Sequence, residues 1–133
     1  MQPKHFSHAV PFLPVKDLKE TITYYKEKLG FYNEWFWGNP PSDAGIQRDN
    51  LRLLFNQNKE YATIINSEKQ AFEVVVFVQN VDAIFEEYKS KRVKIVSGLK
   101  DEPWGVREFT VKDVNGYFLR ITEGIEKEKE KEQ

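Results

Sequence analysis

Along the chain, apolar positions first run together, then recur at helical spacing, then alternate, and this order occurs twice. Phe6–Pro14 reads as an extended apolar strand, and Pro11 and Pro14 suit it to a sheet edge, because proline donates no ladder hydrogen bond. Lys16–Leu29 reads as a helix with Leu18, Ile22, Tyr25 and Leu29 on one face. Asp17 can cap it, Glu20 three residues later completes a capping box, and Gly30 stands where a left-handed stop belongs. Three strands are predicted next: Phe31–Trp37, Ala44–Arg48 and Leu51–Asn56. Asn39-Pro-Pro-Ser separates the first two, and Asp49-Asn50 is a tight-turn signal before the third. A polar connector, Gln57–Gln70, leads to a second β-branched strand, Phe72–Val78. Asn80 then caps a helix to about Lys91, with Val81, Ile84, Phe85 and Tyr88 on one face. Lys94–Ser97, Val106–Val111 and Tyr117–Thr122 are the remaining strands, and Val114-Asn115-Gly116 is the last turn.

Laying one half on the other makes the repeat explicit. A displacement of 63 positions carries Val15 onto Val78, Asp17 onto Asn80, Ile22 onto Phe85 and Tyr25 onto Tyr88. In the last strands the displacement is 66, carrying Asp49-Asn50-Leu51 onto Asn115-Gly116-Tyr117 and Leu53 onto Leu119. Two βαβββ modules, about 6–56 and 72–122, are therefore expected. A unit of roughly 60 residues buries too little surface to stand alone, so the modules should share one core in a single α+β domain over 1–123. The alternating charges of 124–133 predict a solvated tail or frayed helix with no site in it.

Composition narrows the function. A net charge of −1 over 133 residues argues against nucleic acid as a partner, since phosphate neutralisation needs a basic face. Without cysteine there is neither a disulfide framework nor a thiolate metal site. No apolar run approaches the roughly 20 residues of a membrane helix, and the amino terminus lacks a signal-peptide layout. A cytoplasmic protein without a membrane partner is the expectation. Aromatic residues make up 14% of the chain, and its three tryptophans must find a place in the core, a pocket or an interface.

The segments AVPFLPVKDLKETITYYKEKLGF, DNLRLLF and PWGVREFTVKDVNGYFLRI resemble the glyoxalase/bleomycin resistance/ring-cleaving dioxygenase superfamily, the vicinal oxygen chelate proteins. The resemblance spans about Phe6 to Glu123. It is nearest to the bleomycin-resistance branch through Ala9-Val10-Pro11, Leu29-Gly30-Phe31 and Arg107-Glu108-Phe109. It implies a glyoxalase/bleomycin resistance fold, in which two paired βαβββ modules form a cup-shaped mixed sheet, and a homodimer.

Metal-dependent members of that family carry His and Glu ligands at equivalent points on four strands. By resemblance those points are Val10, Leu54, Glu73 and Arg120 here, and only Glu73 can ligate a metal. A guanidinium in the cluster would repel one. His8, two residues before Val10, is the remaining imidazole that a slipped register would bring near. Without a metal the family's lyase, isomerase and dioxygenase chemistries lose the ion that polarises substrate oxygens. With only His5 and His8 and no cysteine, no nucleophilic triad is in evidence, so no catalytic residue and no cofactor is assigned.

Strand alternation extends those points to a lining that includes Phe12, Arg52, Leu54, Asn56, Glu73, Val75, Phe77, Phe118, Arg120 and Thr122. Such a surface suits a small-molecule ligand. Glu73 and Arg120 either line the cup or close it as an ion pair. Trp35, Trp37 and Trp104 are, by resemblance, candidates for sandwiching a flat heteroaromatic ligand, or else they pack between subunits. The leading expectation is a metal-free homodimer that sequesters or senses a small aromatic drug or metabolite. Its rivals are a metal-dependent enzyme built on His8 and Glu73, and a ligand-free dimeric scaffold.

Overall fold

A computed structural model describes residues 3–67 and 71–125; residues 126–133 of the expected tail and 68–70 of the connector lie outside the described residues. Asp17 ends an extended stretch, and its carboxylate accepts from the Glu20 N–H at 2.8 Å, which starts α1 (Leu18–Glu27). Leu18, Ile22 and Tyr25 are buried along one side of that helix. At its end Gly30 takes a φ of +76°, which lets the Phe31 N–H turn back onto the Tyr25 carbonyl. Asn80 caps the corresponding α3 (Val81–Ser90) by accepting from the Ala83 N–H.

The strands form two four-stranded mixed sheets of one plan. Sheet one holds β1 (Phe12–Val15), β4 (Leu51–Gln57), β3 (Asp43–Arg48) and β2 (Tyr32–Trp37), in that spatial order. Sheet two holds β5 (Glu73–Phe77), β8 (Phe118–Gly124), β7 (Val106–Lys112) and β6 (Lys94–Glu102). In each, the first strand runs parallel to the last and the others are antiparallel. Phe12 pairs with Leu54 in sheet one and Val75 pairs with Arg120 in sheet two, so both displacements of the repeat appear in one register. This is the α+β arrangement of two βαβββ modules.

Three expectations need correction. The first strand begins at Phe12, not Phe6, and its register would place His8 against Asn50, in the turn before β4. Phe6 to His8 therefore lack a partner strand, and Phe6 to Ala9 are exposed. The connector contains a short helix, α2 (Lys59–Ile65), capped by Asn58 and anchored by buried Ala62. Tyr61 and Ile64 stay exposed and only Ala62 is buried, so no apolar face marks the helix in the sequence. The sixth strand runs on to Glu102 through irregular pairing at Ser97 and Lys100, where the predicted span stopped at Ser97.

One core joins the modules, with Leu13, Val15, Leu53 and Phe55 of sheet one in the same cluster as Phe109, Val111, Leu119 and Ile121 of sheet two. Polar groups cross the seam at both ends. The Tyr25 hydroxyl donates to Asp113 at 2.5 Å, and the Tyr88 hydroxyl donates to the Leu29 carbonyl at 2.8 Å. Arg48 and Glu87 form a two-bond pair, each bond 2.8 Å long, and Arg48 also donates to the Leu29 carbonyl.

Asp113 carries the cost of this arrangement. Burial pushes its carboxyl up to about 6, against hydrogen bonds from Tyr25 and from the Tyr117 and Asn115 N–H groups that favour the charged form. Because the folded-state value is raised, the folded chain holds this proton more tightly, and stability falls as pH rises from about 4 to about 6. Asp113→Asn removes the proton from the balance. Urea midpoints should show wild-type stability falling by about 3 kcal/mol relative to the variant over that window. A difference that stays constant with pH contradicts the assignment.

Candidate functional site

Alternation along each strand gives each sheet two faces. One face packs on the helices and the shared core; the other, turned away from them, is the open face. In sheet one Leu53, Phe55, Ala44, Ile46, Leu13 and Val15 go to the core. Arg52, Leu54 and Asn56 of β4, Gly45 of β3 and Phe12 of β1 therefore stand on the open face. The register aligns Trp35, Gly45, Leu54 and Phe12 in a row across all four strands. The Trp35 indole lies directly on Gly45, so closely that an added Cβ there would collide with the ring. Glycine thus provides the floor on which the indole rests.

The tryptophans are not core residues. Trp35, Trp37 and Trp104 are 48%, 69% and 61% exposed, and Phe12 is 57% exposed. An apolar row of this kind is a large surface to leave in water. Trp37 pairs opposite Asp43 near the end of the same β-ribbon, while Trp104 occupies the turn between β6 and β7.

Sheet two presents a charged open face. Arg120 of β8 sits between two carboxylates, with Nη2 donating to both oxygens of Glu108 at 3.1 and 3.3 Å and Nη1 lying 3.5 Å from Glu73. The Thr122 hydroxyl donates to Glu108 at 2.9 Å and completes the network. Partial burial works against the guanidinium's charge, but Glu108 and Glu73 outweigh it and hold its pKa above the ordinary value. Phe118 pairs with Glu73, and Val75 and Phe77 flank the network on β5. Two carboxylates thus share one guanidinium.

The structure thus brings Glu73, Phe118 and Arg120 together on one sheet, and Trp35 and Leu54 together on the other, with Arg52 next along β4. No hydrogen bond or ion pair joins the two groups among the described residues. Glu108 was not assigned a role from the sequence, although counting back from the Asn115-Gly116 turn along the β7–β8 hairpin places it opposite Thr122. Gly45 was also missed; its signal is a glycine inside a strand, which marks a close approach.

The four points at which related metal centres hold ligands do not form a donor set here. Val10 and Leu54 offer no ligand atom, and Arg120 engages Glu73 with a positive charge where a cation would stand. His8 lies exposed outside the sheet and contacts Ser7. Among the described residues no group of three or more His, Cys, Asp or Glu side chains is placed to hold a metal ion. No described helix is long and apolar enough to cross a membrane.

Comparison with known proteins bears on this geometry. The model of the Glyoxalase/Bleomycin resistance protein/Dioxygenase superfamily matches residues 4–121. No curated protein sequence matches the chain. Among solved structures, TioX from Micromonospora sp. ML1 is similar at a TM-score of 0.73 and 23% identity, covering 90% of this chain and 100% of its own. The bleomycin-binding protein from bleomycin-producing Streptomyces verticillus, complexed with copper(II)-bleomycin, gives 0.72 and 24%, covering 92% and 99%. The bleomycin resistance determinant encoded on the transposon Tn5 gives 0.72 and 22%, covering 90% and 98%. At these identities the likenesses speak to the fold.

Gly45→Ala tests the aromatic row. The added methyl must displace the Trp35 ring, so tryptophan emission should shift to the red and stability should fall by about 1 kcal/mol. Unchanged emission would show that the indole does not rest on Gly45 in solution.

Proposed function

The chain belongs to the Glyoxalase/Bleomycin resistance protein/Dioxygenase superfamily, and from that premise we propose that it is a metal-free, small-molecule binding protein of the bleomycin-resistance type. It acts as a homodimer in the cytoplasm, as one domain over 1–123, sequestering or sensing a small planar aromatic drug or metabolite. The observation that carries this reading is the row Trp35–Gly45–Leu54–Phe12, an aromatic and apolar surface held open to solvent by a glycine floor.

Physical chemistry supports the dimer and the ligand together. The open face of sheet one is aromatic and carries Arg52 and Asp43, whereas that of sheet two carries Glu73 and Glu108 around Arg120, with Lys100 opposite Glu108 and Lys112 opposite Phe118. When sheet one of one copy meets sheet two of another, Phe12, Val75 and Phe77 are shielded from water. A flat ligand between them stacks on Trp35, with Trp37 and Trp104 at the edges, while Leu54 and Phe118 close the apolar sides. Because Arg120 is already matched by two carboxylates, the site favours a neutral planar aromatic molecule. The same engagement of Arg120, with valine and leucine at two further points, argues for binding without a metal.

Tryptophan fluorescence titration against a panel of planar aromatic compounds tests the reading. At least one compound should quench emission saturably, and Trp35→Ala should weaken its binding about tenfold or more, the loss of a stacking partner. If no compound in a broad panel perturbs the emission, the reading fails. Sedimentation equilibrium should return twice the chain mass, and Leu54→Asp should shift it towards the monomer. A wild-type chain that remains monomeric at the highest concentrations contradicts the dimer.

A further inference from the structure

The internal repeat makes one asymmetry visible. The seam between the modules has two ends, related by the displacements of 63 and 66 that relate the modules themselves. At one end it is sealed. Tyr117 is fully buried there, and its hydroxyl donates to the Pro14 carbonyl at 2.5 Å. Beside it Asn115 accepts from the Lys16 N–H at 2.8 Å and donates to the Thr21 hydroxyl at 2.9 Å.

At the other end the corresponding positions are Leu51 for Tyr117, Asp49 for Asn115, Phe77 for Pro14, Gln79 for Lys16 and Ile84 for Thr21. Leucine has neither the ring nor the hydroxyl, and Asp49 stands exposed at its turn. A cavity of about 550 Å³ lies at this end, and Asp49, Leu51, Phe77, Gln79 and Ile84 all line it. Its other walls include Leu53, Leu119, Ile121 and Tyr88, from the core side of both sheets. It is therefore distinct from the open faces.

We propose that this cavity binds a small neutral phenol, whose ring and hydroxyl take the place that Tyr117 fills at the sealed end. The ring would lie on Leu53, Leu119 and Ile121, and the hydroxyl would donate to the Phe77 carbonyl, the counterpart of Pro14. The Gln79 N–H, counterpart of Lys16, is the available donor beside it. The volume falls within the range of small-molecule sites and admits one ring or two. The neutral form is selected because Arg48 at the wall already has its charge matched by both oxygens of Glu87, and Asp49 at the mouth repels an anion.

A titration of the full chain with p-cresol, followed by amide and methyl NMR, tests this. Saturable shifts are expected at the Gln79 amide and at the methyls of Leu53, Ile84 and Leu119. Toluene should bind about tenfold more weakly, the loss of one hydrogen bond. Leu51→Tyr installs the side chain of the sealed end and should weaken p-cresol binding at least tenfold; Ile84→Trp blocks the cavity from the helix side and should do the same. The absence of saturable shifts at Gln79, undiminished binding in whichever of these variants folds, or shifts confined to Trp35 and Phe12 overturns the proposal. None of these outcomes decides whether a ligand stacks on the open faces, which tryptophan emission reads separately.

Discussion

A tyrosine hydroxyl taken out of water must find a hydrogen-bond partner, and both buried helix tyrosines of this chain find theirs in the opposite module. Tyr25 leaves α1 to meet Asp113 in the turn of the last hairpin, and Tyr88 leaves α3 to meet the Leu29 carbonyl after α1. These crossings hold each helix between its own sheet and the neighbouring module. With the helices inside, the inner faces of both sheets become core and the other faces are turned outwards. Asp113 shows that the constraint is strong enough to bury a carboxyl at the expense of its usual ionisation.

The two outward faces have diverged within one register. Leu54 and Arg120 are counterparts, as are Phe12 and Val75, so similar backbones present an aromatic strip on one sheet and an ion-pair network on the other. Arg120 is held by Glu108 and Glu73 rather than left free. The network is partly exposed, so its main consequence is orientation rather than stability. It fixes where charge lies on the face that a second copy or a ligand would meet. Divergence also reached the seam, where tyrosine and asparagine seal one end and leucine and aspartate leave the other open.

Much of this was legible in the residues. Helix caps and stops are local chemistry, and Asp17, Gly30 and Asn80 act in the structure as their types suggest. The repeat carried the register, because Phe12–Leu54 and Val75–Arg120 follow from two displacements. Features that depend on distant partners were harder to read. Phe6 to His8 look like strand but run past the start of β4, which local pattern does not reveal. Helix α2 buries little and leaves no periodic signal. Glu108 gains its role only by standing across the hairpin from Thr122. The tryptophans could be assigned to core, pocket or interface from composition, and only their exposure removed the first.

The central claim is that the aromatic face of one copy meets the charged face of another around a ligand site. It is tested most directly by isotope-filtered NOE spectroscopy on a mixture of labelled and unlabelled chains. The account predicts intermolecular contacts from the Trp35 indole and Leu54 methyls of one chain to the Val75 methyls and Phe77 ring of its partner. A dimer in which those contacts are absent, with NOEs running between other surfaces, would contradict it.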